Sequence, residues 1–251
     1  MLKNAVTGLV LSMGEPTTKN AIEALRNQTH VCVDVQIVTN ISPFHKAINK
    51  GVAEIETEFF LQCDADMIPD PDCVDILLKH MQDDIGVVIG YLQDPLMGKI
   101  QAIKLFRTSC AKTLQFDNHL SPDTDLINRM NQLGWRYVFA NREVSRQGRS
   151  DDIFGDHCPQ YTDLYTFQKF RLEGARMAKR GVFRELEDSL DRLSQSRHPM
   201  AKIAIIGLCN RIFEDRKVDG LGPYVGDELF EKLHTYQVKT SEKNHIFAPI
   251  A

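Results

Sequence analysis

A chain of 251 residues, 43% hydrophobic and 25% charged, can bury one α/β domain of good size, or a domain with a smaller appendage, without covalent staples. A formal charge of −4 without a long basic run argues against a nucleic-acid duplex as the main partner, because neutralising phosphates takes clustered Lys and Arg. The six cysteines show no C-x-x-C spacing, which argues against a structural zinc site and a disulfide framework and favours a reducing, cytoplasmic setting.

Val6 to Leu11 predicts a buried strand, stopped by the breaker Gly14-Glu15-Pro16 and followed by a helix burying Ala21, Ile22 and Leu25. Strand, turn and helix open a nucleotide-binding unit. A second strand, Cys32 to Val38, ends in Thr39-Asn40, and a helix from about Pro43 to Ile55 buries Ala47, Ile48 and Val52. The third strand, Glu58 to Cys63, delivers Asp64 and Asp66. Pro69 and Pro71 mark a turn before an amphipathic helix with Val74, Leu77, Leu78 and Met81 on one face.

Gly86 to Tyr91 and Ile100 to Phe106 predict two more strands, joined through a short turn and so antiparallel, which makes the sheet mixed. Ser121-Pro122-Asp123 starts a helix burying Leu126, Ile127 and Met130 that ends near Gly134, and a strand from Trp135 to Ala140 follows. Arg142 to Asp156, polar and basic at Arg142, Arg146 and Arg149, predicts a long surface loop. From Tyr161 the apolar period is helical through Leu164, Phe167 and Phe170, then Val182, Phe183, Leu186, Leu190 and Leu193. A further apolar segment covers Ile203 to Phe213, and a short helix surrounds Leu229, Phe230 and Leu233. The division expected is 1–160 for an α/β domain and 161–251 for a helical region packing on it or on a second subunit. No apolar run approaches the ~20 residues of a membrane span, and no signal-like leader is expected.

Phe59-Phe60-Leu61-Gln62-Cys63-Asp64-Ala65-Asp66 carries the chemistry. The two carboxylates, separated by one residue, come at the strand end and just past it, where a metal could be held against a phosphate-bearing ligand. A bare Asp-x-Asp also occurs in solvated turns; its place after two strand–helix units is what gives it weight.

The ordered series resembles the GT-A glycosyltransferases, in particular the inverting family 2. Leu11 to Pro16 stands where that family ends its first strand, Asn27-Gln28-Thr29 resembles a helix end, and Ala47-Ile48-Asn49-Lys50-Gly51 resembles Ala-x-Asn-x-Gly. Phe60 to Asp66 resembles the DxD strand, and Pro122 to Arg129 the Glu-Asp-x-Asp-Leu-x-x-Arg block; the likeness covers roughly residues 5–160. The resemblance implies a mixed α/β sheet flanked by helices and transfer of a sugar from a nucleotide-diphosphate donor to a glycan or other hydroxyl acceptor. Asp66 would bind a divalent cation, Mn²⁺ or Mg²⁺, with Asp64 reaching the metal shell or the donor ribose and His157 as a third ligand. Ser12, Met13, Glu15, Thr39, Asn40, Lys46, Asn49 and Ala65 would line the donor, Arg146 and Arg149 would clamp the diphosphate, and Asp123 would be the general base.

Two departures stand out. Thr39-Asn40 replaces the family's Asp-Asp pair at the nucleotide base, and Pro122 replaces the Glu before Asp123. Blander readings coexist: Asp123 as a carboxylate favoured at a helix N-terminus, His157 as a hydrogen-bonded side chain, and the arginines as solvated. The competing functions are an inactive GT-A-like module binding a glycan or a partner, and a haloacid dehalogenase-type phosphotransferase, which would need its Asp-x-Asp on the first strand. For the helical region, a second copy of the chain and a peripheral membrane contact stay open as partners.

Overall fold

The computed structural model describes residues 6–119, 121–142, 150–181 and 183–219. They form two compact units, the first made of residues up to Asp94 with Lys99–Pro159 and the second of Pro95–Gly98 with the described residues from Gln160 onward. The predicted helix around Leu229 lies outside the described residues.

The first unit begins with β1 (Val6–Ser12), α1 (Thr18–Arg26), β2 (Val33–Thr39), α2 (Phe44–Glu54), β3 (Phe59–Asp64), β4 (Met67–Pro69) and α3 (Cys73–Lys79). It continues with β5 (Ile85–Asp94), β6 (Gly98–Arg107), α4 (Thr108–Leu114), α5 (Pro122–Gln132), β7 (Arg136–Phe139) and β8 (Ile153–His157). The eight strands form one sheet in the order β2-β1-β3-β6-β5-β8-β4, with β7 also paired to β5. Every residue of β1 is buried, as a central strand covered on both faces must be. β2 and β3 run parallel to β1, whereas β6 is antiparallel to β3. The predicted mixed α/β sheet is therefore present.

The two faces have separate cores. Ala21 and Leu25 of α1 pack with Cys73, Val74 and Leu77 of α3 on one side. On the other, Ala47, Ile48 and Val52 of α2 join Leu126, Ile127 and Met130 of α5 around Phe60 and Phe106. These two rings are cross-strand partners on β3 and β6 and stack with centroids 5.2 Å apart. One step further along the same face, the next pair is Gln62 and Lys104. The aromatic core thus gives way to polar side chains toward the end of β3.

The segment Arg142 to Asp156 corrects the loop expectation. Its last part is β8, a buried strand parallel to β5 and antiparallel to β4, and Arg142 is itself buried. Arg142 donates through its guanidinium to Asp70 and Asp72, and through Nε to the Ile153 carbonyl at 3.3 Å. A basic residue is tolerated inside because both acids are brought to it. Gly155 shows why β8 can lie so close to β4. At φ +154° a side chain would be strained, and a Cβ would stand 2.3 Å from the Ile68 carbonyl oxygen.

In the second unit, α6 (Asp163–Arg180), α7 (Phe183–Gln195) and α8 (Ala201–Asp219) enclose a core of Phe170, Leu186, Leu190, Ile205 and Leu208, joined by Leu96. α6 is capped by Thr162, whose Oγ1 accepts from the Tyr165 amide at 3.3 Å, and it ends at Gly181 with φ +67°. Gly174 and Gly207 let α6 and α8 touch backbone to backbone, since a Cβ at either would lie within 2.4 or 2.5 Å of a carbonyl oxygen on the other helix. Leu164, expected on the packed face, is exposed instead. No helix among the described residues is long and apolar enough to cross a membrane.

Candidate active site

Parallel strands that start level also end level, and this brings the predicted residues to one rim. Ser12 pairs with Thr39 and Leu11 with Asp64. Beyond the pairing, the Asn40 amide donates to the Ser12 carbonyl at 2.9 Å and the Ala65 amide to the Leu11 carbonyl at 3.0 Å. The ends of β5 and β8 add Asp94 and His157, and the N-terminus of α5 adds Asp123.

His157 links two of the acids. Its Nδ1 is 2.6 Å from Asp94 Oδ2, and its Nε2 is 3.2 Å from Asp66 Oδ2. Asp94 is 1% exposed, so its carboxylate is committed to the interior of the site. The Cys158 amide donates to the Asp66 carbonyl at 2.6 Å and fixes the backbone between β3 and β4 against the end of β8. The predicted pair Asp66 and His157 is thus side by side.

Asp64 is the unusual acid. Its Oδ1 is buried without a hydrogen-bond partner, and burial, reinforced by the charge of Asp66, pushes its pKa up to about 7. Lys104, His157 and Asp123 act on it as well, the first two lowering and the last raising, so all five groups share one electrostatic neighbourhood. Asp123 is different. Burial acts to raise it, but Lys104, through its charge and a 2.8 Å hydrogen-bonded ion pair, together with the Thr124 and Asp123 amides, holds it below the usual carboxylate range.

The residues predicted to line the donor divide. Glu15 closes the turn after β1, accepting from the Met13 amide at 2.8 Å and from Ser12 Oγ at 2.9 Å, while the Met13 side chain is 58% exposed on the rim. Thr39 and Asn40 are exposed there, Asn40 at φ +56°, and Ala65 is buried. Lys46 is exposed near the start of α2. Asn49 instead holds the chain that leads to Asp123, because its amide donates to the Phe116 carbonyl and accepts from the Phe116 amide, both at 2.8 Å. Arg146 and Arg149 lie outside the described residues. Two functional candidates escaped the sequence reading, Asp94 and Lys104. Alternation within Ile103-Lys104-Leu105-Phe106 could have flagged Lys104, because its neighbour two residues on, Phe106, faces the core.

Among the described residues, no three His, Cys, Asp or Glu side chains are already arranged around a common metal position. The donor chemistry nevertheless fits a divalent cation. The Asp66 carboxylate meets the His157 imidazole, Asp64 lies in their electrostatic neighbourhood, and the buried Oδ1 of Asp64 has no hydrogen-bond partner.

No family model matches the chain, and no curated protein sequence matches it. Among solved structures it is similar in fold to a mannosyltransferase, PcManGT, from Pyrobaculum calidifontis in complex with GDP-Man and Mn²⁺, with a TM-score of 0.54 and 13% identity over 96% of this chain and 87% of that one. Weaker likenesses are to glucosyl-3-phosphoglycerate synthase from Mycobacterium tuberculosis, in complex with Mn²⁺, UDP and phosphoglyceric acid (TM-score 0.46, 13% identity, 68% of this chain and 77% of that), and to S. aureus TarS (TM-score 0.46, 11% identity, 94% and 53%). At such identities the likeness is one of fold: the first unit has the mixed sheet of GT-A-like nucleotide-diphospho-sugar transferases.

Proposed function

We propose that the chain is a metal-dependent, inverting glycosyltransferase that moves a sugar from a nucleotide-diphosphate donor to an acceptor hydroxyl. The observation that carries this reading is the convergence of Asp64, Asp66 and His157 with Asp123 at one rim of the sheet. Asp66, His157 and Asp64 would hold Mn²⁺ or Mg²⁺, which when bound neutralises the diphosphate leaving group. Met13, Thr39 and Asn40 stand beside them on the rim as the donor-side surface, with Ser12 buried just behind. Arg146 and Arg149 are proposed as further donor contacts.

Asp123 is the proposed base. It is ionised, a quarter of its side chain is exposed, and it stands in the first turn of α5, held by Lys104. Such a carboxylate suits single displacement, in which the acceptor is deprotonated on one side of the anomeric carbon while the diphosphate departs on the other. The GT-A-like fold supports the donor class, since the mannosyltransferase of similar fold was solved with GDP-Man and Mn²⁺.

A panel of GDP- and UDP-sugars with Mn²⁺ present or chelated tests this directly. Turnover is expected only with the cation, and Asp66→Ala is expected to lower it by about 10³-fold or more with the circular dichroism spectrum and Tm retained. Proton NMR of the first product should show the inverted anomer. Full activity of Asp66→Ala, or turnover indifferent to chelation, would sink the proposal.

A further inference from the structure

Lys104 occupies a place where lysine is seldom found. It is 6% exposed, in the middle of a β-strand whose neighbours Ile103, Leu105 and Phe106 are core residues. An ammonium removed from water is retained only beside an ionised partner, and an apolar side chain of similar volume would satisfy packing alone. Its partner is Asp123: Nζ lies 2.8 Å from Oδ2, and the other contact of Nζ is the Ala102 carbonyl at 3.4 Å. The register explains how they meet. Phe60 with Phe106 and then Gln62 with Lys104 run along the face that α5 covers, so the lysine emerges beneath the first turn of that helix.

The charged groups around Asp123 can be named element by element. Lys104 comes from β6, Asp64 from the end of β3, and α5 itself contributes the Thr124 and Asp123 amides. Asp66 and His157 lie beyond Asp64 and act on it. Of these, Lys104 alone is a cation in contact with Asp123 among the described residues. Without it, burial would favour a protonated Asp123, and a protonated acid cannot accept a proton.

We infer that Lys104 is a positioning residue of the transfer reaction: its buried ammonium grips one oxygen of Asp123, keeping the carboxylate ionised and aimed while its exposed side receives the acceptor proton. This rests on the reading of Asp123 as the base. In the step itself the acceptor oxygen bonds to the anomeric carbon, the bond from that carbon to the diphosphate oxygen breaks with its electron pair leaving on the phosphate, and the hydroxyl proton passes to Asp123. Lys104 keeps its own proton throughout.

The test uses the full chain with Lys104→Met, Lys104→Arg and Asp123→Asn. Carboxyl ¹³C NMR, with Asp123→Asn for assignment, follows the titration of Asp123, and the pH profile of kcat/KM is read with whichever GDP- or UDP-sugar turns over with Mn²⁺. In Lys104→Met, Asp123 is expected to titrate about 1 pH unit higher or more, with the acid limb of the rate profile moving by the same amount. Lys104→Arg, which keeps the charge, should restore both in part. A residue that served packing alone would leave both curves in place. The NMR titration needs no donor, so a Lys104→Met curve superposing on the parent overturns the inference by itself. An Asp123→Asn variant with parental activity would instead remove the base assignment, a failure that is distinguishable because the Lys104-dependent titration would persist.

Discussion

Two acid clusters lie at the two ends of β8, and they are built on opposite principles. At its start, Asp70 and Asp72 share the guanidinium of Arg142, which also donates to the Ile153 carbonyl and lies over the Phe154 ring at 4.7 Å. At its end, Asp66 and Asp94 both contact His157 and Asp123 pairs with Lys104, whereas Asp64 has no ion-pair partner among the described residues. The first arrangement neutralises its acids with a positive charge inside the protein. The second keeps one buried acid, Asp64, without such a partner, which costs folding free energy when it ionises and suits a site completed from outside by a cation.

If that contrast is right, the first cluster should break the fold when its cation is removed. Arg142→Met keeps the bulk of the side chain and takes the buried guanidinium away from both acids, and a loss of about 3–5 kcal/mol is expected, measured by urea or guanidinium unfolding. A loss below about 1 kcal/mol, the range of exposed pairs, would mean that Arg142 is not the lock it looks like.

The cluster built around Arg142 is also the part least legible in the sequence. Val6 to Leu11, Ala47 to Val52 and Leu126 to Met130 have unambiguous periods, and each forms the element expected. β8 has only Ile153 and Phe154 as apolar residues before Gly155-Asp156-His157, too short a run to show a period, and it exists because β5 and β4 flank it. α4 is likewise seven residues rich in Thr and Ser, and its C-terminal carbonyls are held by Arg129 from α5 at 2.7 Å. Local pattern cannot reveal elements stabilised from a distance. The same holds at the site. Asp64, Asp66, His157 and Asp123 were legible as an ordered series, while Asp94 hid in a turn-like Gln93-Asp94-Pro95 and Lys104 in an apolar strand. Their roles are visible only once β5, β6, β8 and α5 are set against one another.

The second cluster should respond with the opposite sign. Asp64 titrates near 7 when folded and near 4 when unfolded, so between those values the folded state holds the extra proton and stability falls as pH rises. The loss is complete above pH 7 and has an upper bound of about 4 kcal/mol for a shift of about three units. Asp64→Asn removes the ionisation without removing a hydrogen bond of Oδ1. In the metal-free protein it should therefore raise Tm at pH 8, with the advantage vanishing as pH falls toward 4. Adding Mn²⁺ should narrow the gap by stabilising the parent protein. A variant less stable than the parent at pH 8 would erase the difference between the two clusters.

The smallest expected effect supplies the control. Lys79 Nζ lies 2.8 Å from Asp75 Oδ2 on α3, the same separation as Lys104 to Asp123 and as Arg142 to Asp70. What differs is the surrounding medium: the Lys79 side chain is 67% exposed, against 7% for Lys104 and 3% for Arg142. Water screens the attraction and the long side chain loses rotamer freedom in holding it, so a double-mutant cycle of Asp75→Asn with Lys79→Met should give a coupling of about 0.3–0.5 kcal/mol that fades with salt. A salt-independent coupling above about 1.5 kcal/mol, well beyond what exposed pairs give, would mean that distance and not burial sets these energies. The contrast between the two ends of β8 would then need another cause, because it assumes that a 2.8 Å contact between opposite charges means little until the protein has taken away the water around it.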